Sequence, residues 1–304
     1  MLKKTLPDNS LAEIFGYAPY DSSKDARLLW KTGTCPFTLT TCSKINHNSG
    51  IIYGTCTAKT ADRTVIICPN RLYANKYACI HKVAKDAFGK IPMIMFKEYW
   101  ENRTKLSNQE VIVALGHNSG REVKLGTKLS MDWVLARVKK GQLEEYIGVE
   151  VQSIDITGNY RDNWHYFSEQ KYRSKRNVPP SENGYNWANV HKRLIPQIIR
   201  KGLIYGNSKL VNHGIYFILP DIVFCKFEEV VGKLKKTTRP TKEVMTVHTY
   251  ELGNYVPEGC VRPLRHIRTI QFLAKDFANA FISGVNLPSG AVLDGCIKKM
   301  LGVA

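Results

Sequence analysis

Two carboxylates and one amide stand at positions where a hairpin would bring their side chains together. Two segments rich in β-branched and aromatic residues flank a short run with turn chemistry. The segments are Met131 to Val138 and Tyr146 to Ile156, and the turn run is Lys139 to Gln142. A turn centred near Gly141 sets Asp132 opposite Glu150 in an antiparallel pair. Gln152 then shares the face of Glu150, because side chains alternate along a strand.

Directly opposed carboxylates repel each other, so this arrangement needs a proton or a cation between them. Oxygen ligands of this kind suit Mg²⁺, which binds through one or two carboxylates and a substrate phosphate. We therefore interpret Asp132 and Glu150 as candidate Mg²⁺ ligands. Such a site fits phosphodiester hydrolysis, in which the metal activates a water and stabilises negative charge on the phosphate. The alternative interpretation is a pair of solvated surface carboxylates.

The charge balance of the chain favours a polyanionic partner. Lysine and arginine number 44 against 26 acidic residues, which gives a formal net charge of +18. Nucleic acid is the partner that such an excess indicates. Four basic runs are candidates for a phosphate footprint, although each alone could be a solvated face. They are Lys171, Arg173, Lys175 and Arg176; Lys192, Arg193, Arg200 and Lys201; Lys233, Lys235, Lys236, Arg239 and Lys242; and Arg262, Arg265, His266 and Arg268.

Four of the eight cysteines fall within 34 residues, each in a turn-like context. They are Cys35, Cys42, Cys56 and Cys68. Four thiolates would form a closed tetrahedral site for zinc or a single iron, which is structural because no coordination position stays open. The spacing contains no C-x-x-C motif, so reduced core cysteines are the alternative. His47 could replace one of the thiolates.

Three N-terminal parts of the chain carry a resemblance to a known family. They are Leu11 to Trp30, Cys35 to Cys56 (CPFTLTTCSKINHNSGIIYGTC) and Val65 to Tyr77 (VIICPNRLYANKY). Together they resemble the N-terminal part of the NotI and EagI type restriction endonucleases, and the similarity returns from Asn118 to Asp155. Asp132, Glu150 and Gln152 match the active-site pattern of that family, Asp followed by Glu-x-Gln, which is a variant of the PD-(D/E)xK motif.

The resemblance implies an α/β fold with a PD-(D/E)xK restriction-endonuclease-like core, in which helices flank a mixed sheet. It implies a metal-binding four-cysteine segment over residues 1–85 and a nuclease core with DNA-recognition elements over residues 86–304. The implied activity is that of a type II restriction endonuclease, which cleaves double-stranded DNA at a short GC-rich palindrome with Mg²⁺. It also implies one structural iron or zinc per chain, a homodimer, a bacterial cytoplasmic location and a cognate DNA methyltransferase that shares the target site.

Further expectations concern the elements around the hairpin. Glu122 is either a further carboxylate of the site or an exposed partner of a nearby base. Apolar spacing predicts a helix over Asn183 to Gly202 with a kink or break near Pro196. A buried strand is expected over Gly214 to Leu219, and a helix over Ile267 to Phe281.

Two other functions are compatible with the same sequence. One is a non-catalytic nucleic-acid-binding protein that the four cysteines stabilise through a metal, with the acidic residues on its surface. The other is a ribonuclease. A membrane protein is not expected, because no stretch approaches the roughly 20 apolar residues of a spanning helix.

Overall fold

The computed structural model of the chain describes residues 10–59, 63–125, 129–158, 160–169, 178–179, 184–189, 192, 194–238, 241–283 and 289–302. The basic run from Lys171 to Arg176 lies outside the described residues, as do Arg193 and Arg239. Among the described helices, none combines the length and the apolar character needed to cross a membrane.

The described residues form fourteen strands, nine α-helices and two short 3-10 turns. The strands are β1 (Leu11–Ile14), β2 (Thr55–Lys59), β3 (Thr64–Ile66), β4 (Met93–Met95), β5 (Glu110–Gly116), β6 (Val123–Leu125), β7 (Leu129–Met131), β8 (Trp133–Lys139), β9 (Gln142–Val151), β10 (Ile156–Thr157), β11 (Gly184–Tyr185), β12 (Ile215–Pro220), β13 (Val244–Leu252) and β14 (Leu264–Leu273). The helices are α1 (Lys24–Thr32), α2 (Ala74–Phe88), α3 (Phe96–Asn102), α4 (Arg161–Ser168), α5 (Trp187–Asn189), α6 (Ile195–Asn207), α7 (Asp221–Val231), α8 (Ala274–Ser283) and α9 (Gly290–Leu301). The 3-10 turns are Pro69–Tyr73 and His117–Ser119.

A seven-stranded mixed sheet with the order β14-β13-β12-β9-β8-β5-β4 forms the centre of the fold. The third strand in this order, β12, is parallel to both neighbours, β9 and β13, whereas β8 is antiparallel to β9 and β5. Every residue of β12 is buried, which is typical of a strand covered on both faces. The predicted buried strand from Gly214 to Leu219 is therefore confirmed, within one residue at each end.

Helices cover both faces of the sheet, and the side chains of β12 alternate between them. Tyr216 and Ile218 pack in a cluster with α2. Phe217 and Leu219 pack in a second cluster, which α6, α7 and α8 complete. The fold is a mixed α/β architecture with a sheet flanked by helices, as the sequence predicts.

The hairpin of β8 and β9 has the predicted register. Trp133 pairs with Val149, and the ladder continues without a shift to Arg137 and Glu145. The turn residues Lys140 and Gly141 both have positive φ, 49° and 73°, which is the type I′ geometry favoured by two-residue hairpins. The strand ends differ from the prediction, since β9 begins at Gln142 and ends at Val151, before the predicted end at Ile156.

Two predicted helices need correction. In the first, Pro196 lies in the first turn of α6, which begins at Ile195, passes through Gly202 and ends at Asn207. Residues 190, 191 and 193 lie outside the described residues, so the break or kink near Pro196 stays a prediction. Gly202 is not a C-cap: it is buried in α6, where a Cβ would lie 3.4 Å from that of Ala274. The segment from Ile267 to Phe281 is half strand, because pairing with β13 extends β14 to Leu273 before α8 begins.

The N-terminal segment packs on the sheet instead of standing apart from it. Its three strands form a small sheet, β1-β2-β3. The buried Arg71 guanidinium donates to both carboxylate oxygens of Glu13, at 2.8 and 3.0 Å, and to the carbonyl oxygen of Arg262. The predicted boundary after residue 85 falls inside α2, whose buried face shares a hydrophobic cluster with the central sheet. The division into two domains stays a prediction.

Candidate functional site

Asp132 and Glu150 meet where β8 begins and β9 ends. Asp132 directly precedes the Trp133–Val149 pair and Glu150 directly follows it, so the shared register puts the two carboxyl groups side by side. The Asp132 Oδ2 atom accepts the backbone N–H of Val151 at 2.9 Å, which fixes its direction. Glu150 is buried, with 1% of its surface exposed.

A lysine completes this pair. The Nζ atom of Lys201, on α6, donates to Oε2 of Glu150, and the lysine is itself buried. Sequence reasoning placed Lys201 in a basic run on the protein surface, and the structure corrects that. One signal could have found it: Lys201 lies on the apolar stripe of α6, between the buried residues Ile198 and Tyr205.

Burial and mutual repulsion set the electrostatics of the pair. Burial, followed by the negative charge of Asp132, raises the pKa of Glu150 to about 8, although Lys201 opposes the shift. Burial also raises the pKa of Asp132. The other Glu150 oxygen, Oε1, is buried and has no hydrogen-bond partner among the described residues. An orphaned carboxylate oxygen beside a second carboxylate is a place where a cation would be stabilised.

The donor set fits Mg²⁺ better than a cage-forming metal. Within the described ranges, no three His, Cys, Asp or Glu side chains converge as a group that could hold a metal ion. Mg²⁺ does not need such a group, because it binds through one or two carboxylates and leaves its other positions to water and phosphate. Asp132 and Glu150 are the residues that would hold it.

The other two predicted site residues lie on either side of the pair. The backbone N–H of Gln152 donates to the carbonyl of Ile218 at 3.0 Å, and its side chain lines a polar cleft next to the end of β9. Glu122 is near enough for its charge to act on the Asp132 carboxyl. It also forms an ion pair with Lys124 at 3.2 Å and is partly exposed, so both interpretations of Glu122 remain predictions.

All four cysteines of the N-terminal segment are buried and reduced. The Cys35 N–H donates to the Thr40 carbonyl and the Cys42 N–H to that of Gly33, so this pair faces across one loop. The Ile67 N–H donates to the carbonyl of Cys56, which brings Cys68 beside Cys56.

The thiol groups of this cluster act on one another. Cys68 and Cys35 both contribute to the raised pKa of Cys56, for which burial is the main cause. Burial also raises the pKa of Cys68 to about 11. Buried thiols of this kind ionise only with a compensating cation. The four thiols are all described and do not converge as a group that could hold a metal ion, so the metal centre stays a prediction beside reduced core cysteines. His47 is exposed.

A second cleft lies at the same edge of the sheet as the carboxylates. It has a volume of about 400 Å³ and includes Pro220, the last residue of β12, which runs parallel to β9. Arg63 and Arg262 line it, and the Arg262 guanidinium stands 4.2 Å over the exposed ring of Tyr255. Arg268, by contrast, is committed to ion pairs with Asp221 and Glu228.

Sequence comparison adds no relative to this description: no family model matches the chain, and a search of curated proteins found no match.

Proposed function

We propose that this protein is a Mg²⁺-dependent endonuclease that cleaves double-stranded DNA. The observation that supports this most is the meeting of Asp132, Glu150 and Lys201 at one edge of a mixed sheet. A hard-cation site of this kind suits a phosphodiester, whose charge the bound metal would neutralise. The net charge of +18 and the arginines at the same edge favour a nucleic acid as the source of that phosphodiester.

Each residue of the site has a distinct role in this proposal. Asp132 and Glu150 hold Mg²⁺, which when bound lowers the pKa of a water and stabilises charge on the phosphate. Lys201 holds its positive charge beside Glu150 and favours the ionised form of that carboxyl against burial and the charge of Asp132. Gln152 orients a water or phosphate oxygen by hydrogen bonds and cannot act as a general base, because an amide has no proton-accepting pKa near neutrality.

The finer identity of the proposed enzyme rests on the resemblance to the NotI and EagI type restriction endonucleases. In that proposal a homodimer reads a short palindrome, since two identical active sites match two identical half-sites. Lys201 adds to the family pattern: it supplies the cation that the Glu-x-Gln motif lacks at its last position. The four cysteines hold a structural iron or zinc, with buried thiols as the alternative.

Incubation of the purified protein with phage DNA and Mg²⁺ tests the activity. A site-specific endonuclease gives discrete bands that disappear with excess chelator. Unaltered DNA that is nevertheless retarded on a gel would favour the non-catalytic binding protein. Cleavage of transcripts but not of duplex DNA would favour the ribonuclease.

Elemental analysis of the purified chain tests the cysteine centre separately. About one iron or zinc per chain is expected for a closed four-thiolate site. Substitution of Cys35 by Ser should remove that metal, whereas Cys296→Ser, at an exposed cysteine of α9, should not. A wild-type protein without either metal would leave the buried-thiol interpretation.

A further inference from the structure

A polar cleft of about 210 Å³ adjoins the end of β9. The residues that line it include Gln152, Asp155, Asn186, Asn189 and Gln197. Four of these side chains are amides, and the described lining includes no lysine or arginine. A cleft built to hold phosphate would carry positive charge, so this one suits an uncharged group with both hydrogen-bond donors and acceptors.

The cleft continues directly from the carboxylates. Gln152 follows Glu150 by two residues along the strand direction, and Gln197 precedes Lys201 by one turn of α6. The contact between Lys201 and Glu150 joins α6 to the end of β9. The same two segments bring Gln197 and Gln152 together at the neighbouring cleft. A ligand in this cleft would therefore lie next to whatever phosphate the carboxylates and the metal hold.

Hydrogen bonds within the protein hold three of the lining residues in place, and the two glutamines stand outside that network. The Asn186 N–H donates to the Asp155 carbonyl at 2.8 Å, and Asn189 Nδ2 donates to Asp155 Oδ2 at 3.1 Å. Asn186 Oδ1 in turn accepts the Asn189 N–H at 3.2 Å. Among the described residues, by contrast, no hydrogen bond links the side-chain amide of Gln152 or Gln197 to another protein group, and Gln197 is exposed where it lines the cleft.

We propose that this cleft reads the edge of the nucleobase beside the phosphate that is cut, with Gln197 as a specificity-determining residue. The inference rests on the proposed endonuclease function and adds the location of base recognition to it. An amide presents one donor and one acceptor side by side, the pattern that pairs with a base edge in direct readout. Phosphate contacts by contrast position the protein without reading sequence, and the arginine-lined cleft at the same sheet edge suits that role.

The test compares Gln197→Ala with the wild-type protein on short duplexes. One duplex carries the recognition site, which is identified from the fragments that the wild-type protein produces. Each of the other duplexes differs from that site at one base pair. For Gln197→Ala we expect discrimination at one base pair next to the cut to fall about 5- to 150-fold in kcat/KM, the range of one bidentate base contact. Discrimination at the other positions should stay. Gln109→Ala, at an exposed glutamine away from the cleft, serves as the control.

The outcomes separate this inference from the function on which it rests. A uniform loss across all duplexes would overturn the inference, because it would mean that Gln197 positions the backbone or the water. Unchanged discrimination would overturn it as well. If the wild-type protein cuts no duplex, the endonuclease proposal itself is refuted. The proposal that the cleft recognises a base is then refuted as well. Gln197 is exposed, and thermal unfolding of the variant should confirm that it folds.

Discussion

The lysine buried against Glu150 is the residue on which the chemistry of the site depends most. Burying an ammonium and two carboxylates costs hydration free energy, which their mutual attraction offsets only while the partners stay together. The raised pKa of Glu150, to about 8, reflects the same balance, because burial and Asp132 both favour the neutral acid. A bound Mg²⁺ would shift that balance back toward the carboxylate.

Removal of one partner should therefore cost more than removal of both. Lys201→Met is expected to lower the free energy of unfolding by about 3–5 kcal/mol, because it leaves a buried carboxyl group uncompensated. Adding Glu150→Gln to that variant should restore part of the loss. Urea unfolding of the wild type, both single variants and the double variant, all without Mg²⁺, measures the coupling. Strictly additive effects would mean that the two side chains do not interact in solution.

At the scale of elements, the hairpin of β8 and β9 could be predicted from the sequence because its determinants are local. Turn chemistry at Lys140 and Gly141 and the alternation along β8 and β9 were enough to predict the register that places Asp132 beside Glu150. The docking of α6 on β9 is a tertiary contact between distant parts of the chain, so the apolar stripe of α6 indicates that Lys201 is buried but not that it meets Glu150. Lys201 was therefore missed as a site residue.

The same limit explains the error in the last third of the chain. The segment after Ile267 has apolar spacing that suits a helix, yet its first residues complete β14 because β13 offers an unpaired edge. The strand begins at Leu264, among basic and polar residues that carried no apolar alternation. Pairing with β13 therefore overrode the local preference of this segment for a helix.

α6 packs closely against β9 at Gly148. A Cβ at this position would lie 2.2 Å from the ring of Tyr205, one turn beyond Lys201. Gly148→Ala should push α6 away from the strand and lower the free energy of unfolding by about 1–3 kcal/mol, the usual cost of overpacking. The variant should also cleave DNA more slowly, because Lys201 moves with the helix.

The control for this variant is Gly295→Ala, at a helical glycine in α9 with open space around its Cβ position. It should leave stability unchanged or raise it by up to about 1 kcal/mol, because alanine favours a helix. Urea denaturation of both variants checks the pair. Equal stability of Gly148→Ala and wild type would mean that α6 does not pack on β9 as described.

At the scale of the whole molecule, we expect charge to govern how the protein meets the proposed nucleic-acid partner. The formal charge of the chain is +18, and two arginines, Arg63 and Arg262, line a cleft at the sheet edge where the carboxylates lie. The composition favoured a polyanionic partner but could not predict where these arginines lie. Lys201 and Arg268 were expected among the phosphate contacts, yet both pair with carboxylates. The N-terminal segment belongs to the same packed body, because Arg71 donates to the Arg262 carbonyl and α2 shares a hydrophobic cluster with the central sheet.

DNA affinity should therefore depend steeply on salt. With about six to ten phosphate contacts, the association constant is expected to fall roughly 10³- to 10⁵-fold between about 50 and about 200 mM salt. Fluorescence anisotropy with a labelled duplex, in Ca²⁺ or without metal to prevent cleavage, measures the slope. The slope should become shallower by about one unit for Arg262→Ala. An affinity independent of salt would show that the basic residues do not contact phosphates.

The most direct test of the central claim is cleavage by Asp132→Asn and Glu150→Gln, which keep the shape of each side chain and remove its charge. Both variants should lose Mg²⁺-dependent cutting of duplex DNA by at least about a hundredfold while they bind the duplex as the wild type does. Glu144→Gln, at an exposed carboxylate of β9, should cut normally. Cutting by either site variant at the wild-type rate would contradict the assignment of this carboxylate pair as the metal site.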